Sequence, residues 1–198
     1  MNLVVITAGS GSPSSTRLLG DRLADATLDA LGAGGSAASV THVELRELAN
    51  DLAAAYVTHL PSARLADAFA AVGTASGVVV VTPTINGSYA GLFKLFFDAL
   101  DEGVLRGRPV LLAATGGTAR HSLVIDQALL PMFFYLKALV APTSVFAATD
   151  DWGDAASGLG GRIAKAGRDL AELMLTRPAA DHADEFADVP DFAELLSR

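Results

Sequence analysis

Five short apolar runs, each followed by a polar loop and then an apolar stripe at helical spacing, organise this chain. Leu3-Val4-Val5-Ile6 and Gly77-Val78-Val79-Val80-Val81 are unbroken and rich in β-branched residues, the pattern of strands buried on both faces. Pro109 to Ala114 reads the same way, Ser39 to Leu45 reads as a half-buried strand, and Thr143 to Ala147 is the fifth. Between them, Leu19, Leu23, Ala26 and Ala30 mark one helical face, and Leu65, Ala68, Phe69 and Val72 mark another, with Pro61 and Ser62 at its start. A short helix is expected around Leu48 to Tyr56, and a further one carries Leu92, Phe93, Leu95, Phe96, Phe97 and Leu100. Leu123 to Leu139 is strongly apolar, with Pro131 expected to kink or break it. Leu159 to Leu175 closes the series. This alternation predicts an α/β fold: a doubly wound, five-stranded parallel sheet of order 2-1-3-4-5 with helices on both faces. One domain is expected over residues 1–176, with an acidic tail over 177–198 that reads as a solvated extension.

In that order strands 1, 3 and 4 are neighbours, and ligands of open parallel sheets bind beyond the carboxyl ends of the strands. Three polar loops stand there. The first runs from Thr7 to Arg17 and holds Ser10, Ser12, Ser15, Thr16 and Arg17 with Gly9 and Gly11. Free N–H groups at a helix start, the helix dipole and several hydroxyls suit a terminal phosphate monoester. It is not a Walker A loop, since no Gly-Lys-Ser/Thr ends it, and Ser14 takes the place of the third glycine of a dinucleotide fingerprint. The alternative is a Ser-rich capping loop. The second is Pro83-Thr84-Ile85-Asn86-Gly87-Ser88, in which Pro83 fixes φ, Asn86-Gly87 tolerates positive φ, and Ser88 is placed to cap the next helix. The third is Thr115-Gly116-Gly117-Thr118, whose paired glycines let the backbone approach a flat ligand, with a plain tight turn as the alternative. A phosphate at one loop and a planar ring between the other two describe flavin mononucleotide (FMN).

Composition narrows the partners. The net charge of −8 disfavours nucleic acid and anionic membranes. No run approaches ~18 consecutive apolar residues, so no membrane span is expected. The amino terminus lacks a basic region, and a cytoplasmic protein is the expectation. Zero cysteines leave no disulfide, thiolate nucleophile or Cys-based metal site, and the four histidines lack metal-ligand spacing. With 51% hydrophobic and only 18% charged residues, some apolar surface is expected to be shared in a homodimer or homotetramer. Arg120 and His121, just past the glycine pair, are weaker candidates for the nicotinamide nucleotide; a solvated arginine and a helix-start histidine are the plainer readings.

Gly-Ser…Ser-Ser-Thr, Pro-Thr-Ile-Asn-Gly-Ser-Tyr-Ala-Gly-Leu-Phe-Lys…Asp and Ala-Thr-Gly-Gly-Thr-Ala-Arg-His-Ser-Leu, in this order, resemble the NAD(P)H-dependent FMN reductase family. The resemblance is closest to reductases that feed reduced flavin to separate flavin-dependent monooxygenases. It covers residues 1 to about 175 and implies a flavodoxin-like fold with FMN and NAD(P)H as cofactors. It further implies that Ser10, Ser12, Ser15, Thr16 and Arg17 hold the FMN phosphate. Pro83 to Ser88 and Thr115 to Thr118 would bracket the isoalloxazine. Ile85 stands where many relatives carry tyrosine. Hydride transfer belongs to the cofactors, so no catalytic side chain is expected. Two other readings share these motifs: a quinone or azo-compound reductase, and a non-enzymatic flavodoxin-like electron carrier.

Overall fold

In the computed structural model, which describes residues 1–153 and 157–176, three apolar runs lie side by side and parallel. They are β1 (Asn2–Thr7), β3 (Gly77–Ile85) and β5 (Pro109–Gly116). Successive side chains of a strand point to opposite faces, and here both faces are covered. Val4, Ile6, Val78, Val80, Val110 and Leu112 join one core with Phe93, Phe96 and Phe133. Leu3, Val5, Val79, Val81, Leu111 and Ala113 join the other with Leu19, Leu23, Ile163 and Leu170. This two-sided burial is why the runs show no polar alternation.

Helices α1 (Ser15–Ala33) and α6 (Leu159–Thr176) cover the second face. The first is covered by α2 (Ala49–Thr58), α3 (Ala63–Gly73), α4 (Gly91–Asp98) and α5 (Leu130–Tyr135). β2 (Ser39–Glu44) pairs in parallel with β1 at the sheet edge and buries only Val43 fully. Beyond β5, two short strands share the fifth position. β6 (Leu139–Val140) pairs with the start of β5 and β7 (Val145–Ala148) with its end. Counted as five parallel positions the order is 2-1-3-4-5, as expected. The expected single strand Thr143 to Ala147 is thus half of an interrupted one, broken over 141–144 around Pro142, which offers no N–H to a ladder.

Three further local expectations change. The 123–139 stretch is helical only over 124–135, and the irregularity expected at Pro131 takes the form of a π turn just before it. Ile125–Leu129 form a π turn, α5 follows with Pro131 in its first turn, and Leu139 already belongs to β6. Pro131 has no N–H to give to the residue four back, and the wide turn before it absorbs that missing bond. β3 runs on past Val81 to Ile85 and forms a hairpin with β4 (Ser88–Tyr89). Asn86 (φ 49°) and Gly87 (φ 80°) make its two-residue turn, the backbone an Asn-Gly pair favours. Ser88 therefore lies in a strand and caps nothing; the N-cap of α4 is Ala90, whose N–H donates to Thr82 Oγ1 at 3.0 Å.

Arg108 is buried at the entry to β5, 2% exposed. Its Nε donates to the Val104 carbonyl at 3.1 Å, Nη2 to Gly73 at 2.7 Å, and Nη1 to Ala75. It thereby joins the end of α3 and the approach to β3 to the neighbouring strand. Burial lowers the guanidinium pKa from its ordinary value.

Candidate functional site

Beyond the carboxyl ends of β1, β3 and β5 lies a cleft of about 730 Å³. One wall is the loop after β1: Gly9, Ser10, Gly11, Pro13, Ser14, Ser15 and Thr16 line it, together with Leu18 from α1. Ser14 is the N-cap of α1, accepting the Arg17 N–H at 3.2 Å. A Cβ on Gly9 would stand 2.2 Å from that Ser14 hydroxyl, so the cap and the loop's closeness require glycine there. Thr16 is buried, and its hydroxyl lies 2.9 Å from the Thr115 hydroxyl, tying the first loop to the third. The hydroxyls of Ser10 and Ser15, both exposed, hydrogen-bond to no other described residue and remain available to an anion at the helix start.

The opposite shelf is Pro83, Thr84 and Ile85 beside Thr115, Gly116 and Gly117. Pro83 pairs in register with Thr115, which sets the two segments at one level. Among the described residues Thr84 Oγ1 is the buried side-chain polar atom left without a partner, and Thr84 lines the cleft. The paired glycines have separate reasons. A Cβ on Gly116 would come within 2.8 Å of Phe146 Cζ, a packing requirement, whereas one on Gly117 would meet nothing within 4 Å. Neither has positive φ, so backbone freedom is not what glycine supplies here.

Some of the expected residues stand elsewhere. Arg17 does not line the cleft. It faces an adjoining hollow that shares Gly11, Ser14 and Leu18 with the cleft, beside Ser12, Asp21, Glu44 and Arg46, donating from Nε to Asp21 at 2.7 Å and from Nη1 to Glu44. Burial works against its charge, but the two carboxylates outweigh that and raise its pKa. Arg46 shares Glu44 at 2.9 Å and donates to the Gly11 carbonyl at 3.0 Å, bracing the loop from behind. Burial and the Arg17 charge lower the pKa of His42 nearby. Asn86, Gly87 and Ser88 form the hairpin tip outside the cleft, and Thr118, Arg120 and His121 also lie off its lining. Thr118 caps the short turn Ala119–His121 through the Arg120 N–H.

Besides Leu18, two lining residues outside the three expected loops were not foreseen, Thr149 and Trp152. They follow β7, so their loop opens at the same level of the sheet as the other three. The available signal was that position together with the chain's single tryptophan.

A parallel sheet of this order with a hydroxyl-rich loop, a helix start and a glycine shelf meeting in one cleft defines a flavodoxin-like α/β protein with a candidate ligand cleft at the carboxyl edge of its sheet. Flavodoxins bear out the fold: an archaeal one superposes with a TM-score of 0.57 at 12% identity, over 88% of this chain and 99% of its own. The chain belongs to the NADPH-dependent FMN reductase family, whose sequence pattern matches residues 1–153. It is 36% identical over 155 residues to the NADH-dependent FMN reductase SfnE of Pseudomonas putida, covering 78% of this chain and 80% of that one. An FMN reductase (NADPH) of Pseudomonas aeruginosa is 35% identical over 150 residues, 76% and 78% of the two chains. An oxidoreductase structure from Corynebacterium diphtheriae superposes with a TM-score of 0.87 at 45% identity, over 89% and 98%. The chain is accordingly an NAD(P)H-dependent FMN reductase, an oxidoreductase rather than a passive electron carrier.

Among the described residues no helix is long and apolar enough to cross a membrane, and no three acidic or histidine side chains gather as metal ligands.

Proposed function

We propose that FMN occupies this cleft and that the reduced flavin leaves it to serve a separate flavin-dependent monooxygenase. The observation that carries the reading is the convergence on one cleft of the Ser10 and Ser15 hydroxyls, the unpartnered Thr84 Oγ1 and the open space over Gly117. With both nucleotides bound, the chemistry supplied is transfer of hydride from nicotinamide C4 to flavin N5. The chain's tasks are binding, orientation and electrostatics. The first N–H groups of α1 and the Ser10 and Ser15 hydroxyls meet the phosphate. Thr84 would give a hydrogen bond to the ring, and the backbone N–H at Gly117 would meet charge on the reduced ring. Among the described residues no Lys or Arg lines the cleft. The phosphate is then met by dipoles without a full countercharge, which suits a flavin that exchanges with solution rather than a fixed prosthetic group.

Replacing both Ser10 and Ser15 by Ala is expected to weaken FMN binding at least about tenfold, since hydrogen bonds to a charged phosphate contribute roughly 1.5–3 kcal/mol each. Riboflavin, which lacks the phosphate, should bind both proteins alike. Titration of flavin fluorescence reads both constants; equal FMN affinity in the two proteins removes the phosphate assignment. Steady-state NAD(P)H oxidation with free FMN against a quinone as acceptor tests whether flavin is the travelling substrate.

We also infer a homodimer or homotetramer. Leu123 (59% exposed), Phe134 (61%) and Tyr135 (84%) leave large apolar side chains uncovered around α5. Light scattering at micromolar concentration should give a multiple of the 20.3 kDa chain mass, and a monomer there refutes the inference.

A further inference from the structure

We propose that Trp152 is a flavin-binding residue that closes the cleft with an aromatic wall, an inference that rests on FMN occupying this cleft. Among the described residues Trp152 is the one aromatic side chain lining the cleft. Its position follows from the sheet: Ala148 of β7 pairs in register with Gly116 of β5, and the Thr149–Trp152 turn begins at the next residue. A planar ring lying over the Gly116–Gly117 shelf therefore has this turn along its flank. On the other side of the shelf stands Ile85, 49% exposed, which offers no ring.

The indole is held before any ligand arrives. Asp151 accepts the Ala148 N–H at 2.8 Å and pairs with Arg162 at 3.3 Å. Arg162 in turn donates to the Phe146 carbonyl at 2.6 Å, so the turn is tied back to its own strand. The Ser157 hydroxyl donates to the Asp151 carbonyl at 3.1 Å. Arg22 of α1 lies over the indole, 5.2 Å from the ring centroid, and Trp152 packs against the core of that sheet face. A rigid aromatic surface fixed in this way costs little order on binding and favours a flat, electron-poor ring beside it. The chemistry it recognises is the isoalloxazine, not the phosphate.

That distinction sets the test. FMN and riboflavin affinities are measured by flavin fluorescence for the wild type, Trp152→Leu and Trp152→Phe. Leucine keeps the apolar packing without a ring, so the protein should fold, and melting curves check this. Trp152→Leu should weaken FMN and riboflavin by the same factor, about tenfold, and Trp152→Phe should restore most of both. The visible absorption band of the bound flavin should shift in the leucine variant and return in the phenylalanine one. Wild-type affinity in Trp152→Leu overturns the proposal, and so does a loss confined to FMN, which would mean that the turn acts through the phosphate loop. A rise in the KM for NAD(P)H with unchanged flavin affinity overturns it as well, by assigning the indole to the other nucleotide. A wild-type protein that binds neither flavin fails the cleft assignment and takes this proposal with it. Wild-type binding with an indifferent Trp152 fails the proposal alone.

Discussion

Gly117→Val is expected to weaken FMN binding at least about tenfold, equivalent to about 1.4 kcal/mol, while shifting Tm by no more than about 2 °C. The backbone at 117 does not have positive φ, and a Cβ there meets no protein atom within 4 Å. Valine is thus tolerated by the fold, and its branches enter the space over the shelf. Gly116→Val is the control with the opposite signature. Its Cβ would come within 2.8 Å of buried Phe146, and overpacking of that kind costs roughly 1–3 kcal/mol of stability. Melting temperature and FMN affinity measured on the same preparations separate the two. A Gly117 variant that melts early but binds flavin normally would make the second glycine a turn residue and not part of the site.

Arg108→Met should produce the largest loss of stability, about 3–4 kcal/mol, and lower Tm by about 10 °C. The change removes charge-assisted donors from the buried Ala75 carbonyl and from the half-buried carbonyls of Gly73 and Val104. Arg108→Lys should recover only part, because one ammonium cannot span three carbonyls as a planar guanidinium does. Arg108 stands just before the first residue of β5, whereas the cleft lies past the last, so FMN affinity in the folded protein should stay at the wild-type value. A methionine variant as stable as the wild type would show that water replaces the lost donors without cost. Together with Gly117→Val this separates binding from stability along one strand.

How far the chain could be read differed by residue. Leu3–Ile6 and Gly77–Val81 announced central strands because two-sided burial leaves no polar position within them. The loops that follow them were legible as site segments because parallel strands deliver their carboxyl ends to one edge. Ser10, Ser15, Thr16, Pro83–Ile85 and Thr115–Gly117 do meet there. Arg17 shows where such reading stops. Its place beside the serines suggested a phosphate ligand, and the structure pairs it with Glu44, 27 residues on, in the hollow next to the cleft. The apolar pattern of 123–139 suggested a helix kinked or broken at Pro131, and did not separate the π turn, the short helix and the first residue of a strand that these residues serve.

Periodicity and loop chemistry, both local, thus determined the class of fold and pointed to the candidate binding edge, because hydrophobic burial repeats with the geometry of each element. Tertiary structure alone decided which side chains face that edge. Glu44 withdraws Arg17, Thr115 engages Thr16, and the pairing of β7 with β5 brings Trp152 to the glycine shelf. Each of these depends on a partner distant in the chain, and the direction of a side chain is set by what lies across from it, which no local pattern encodes.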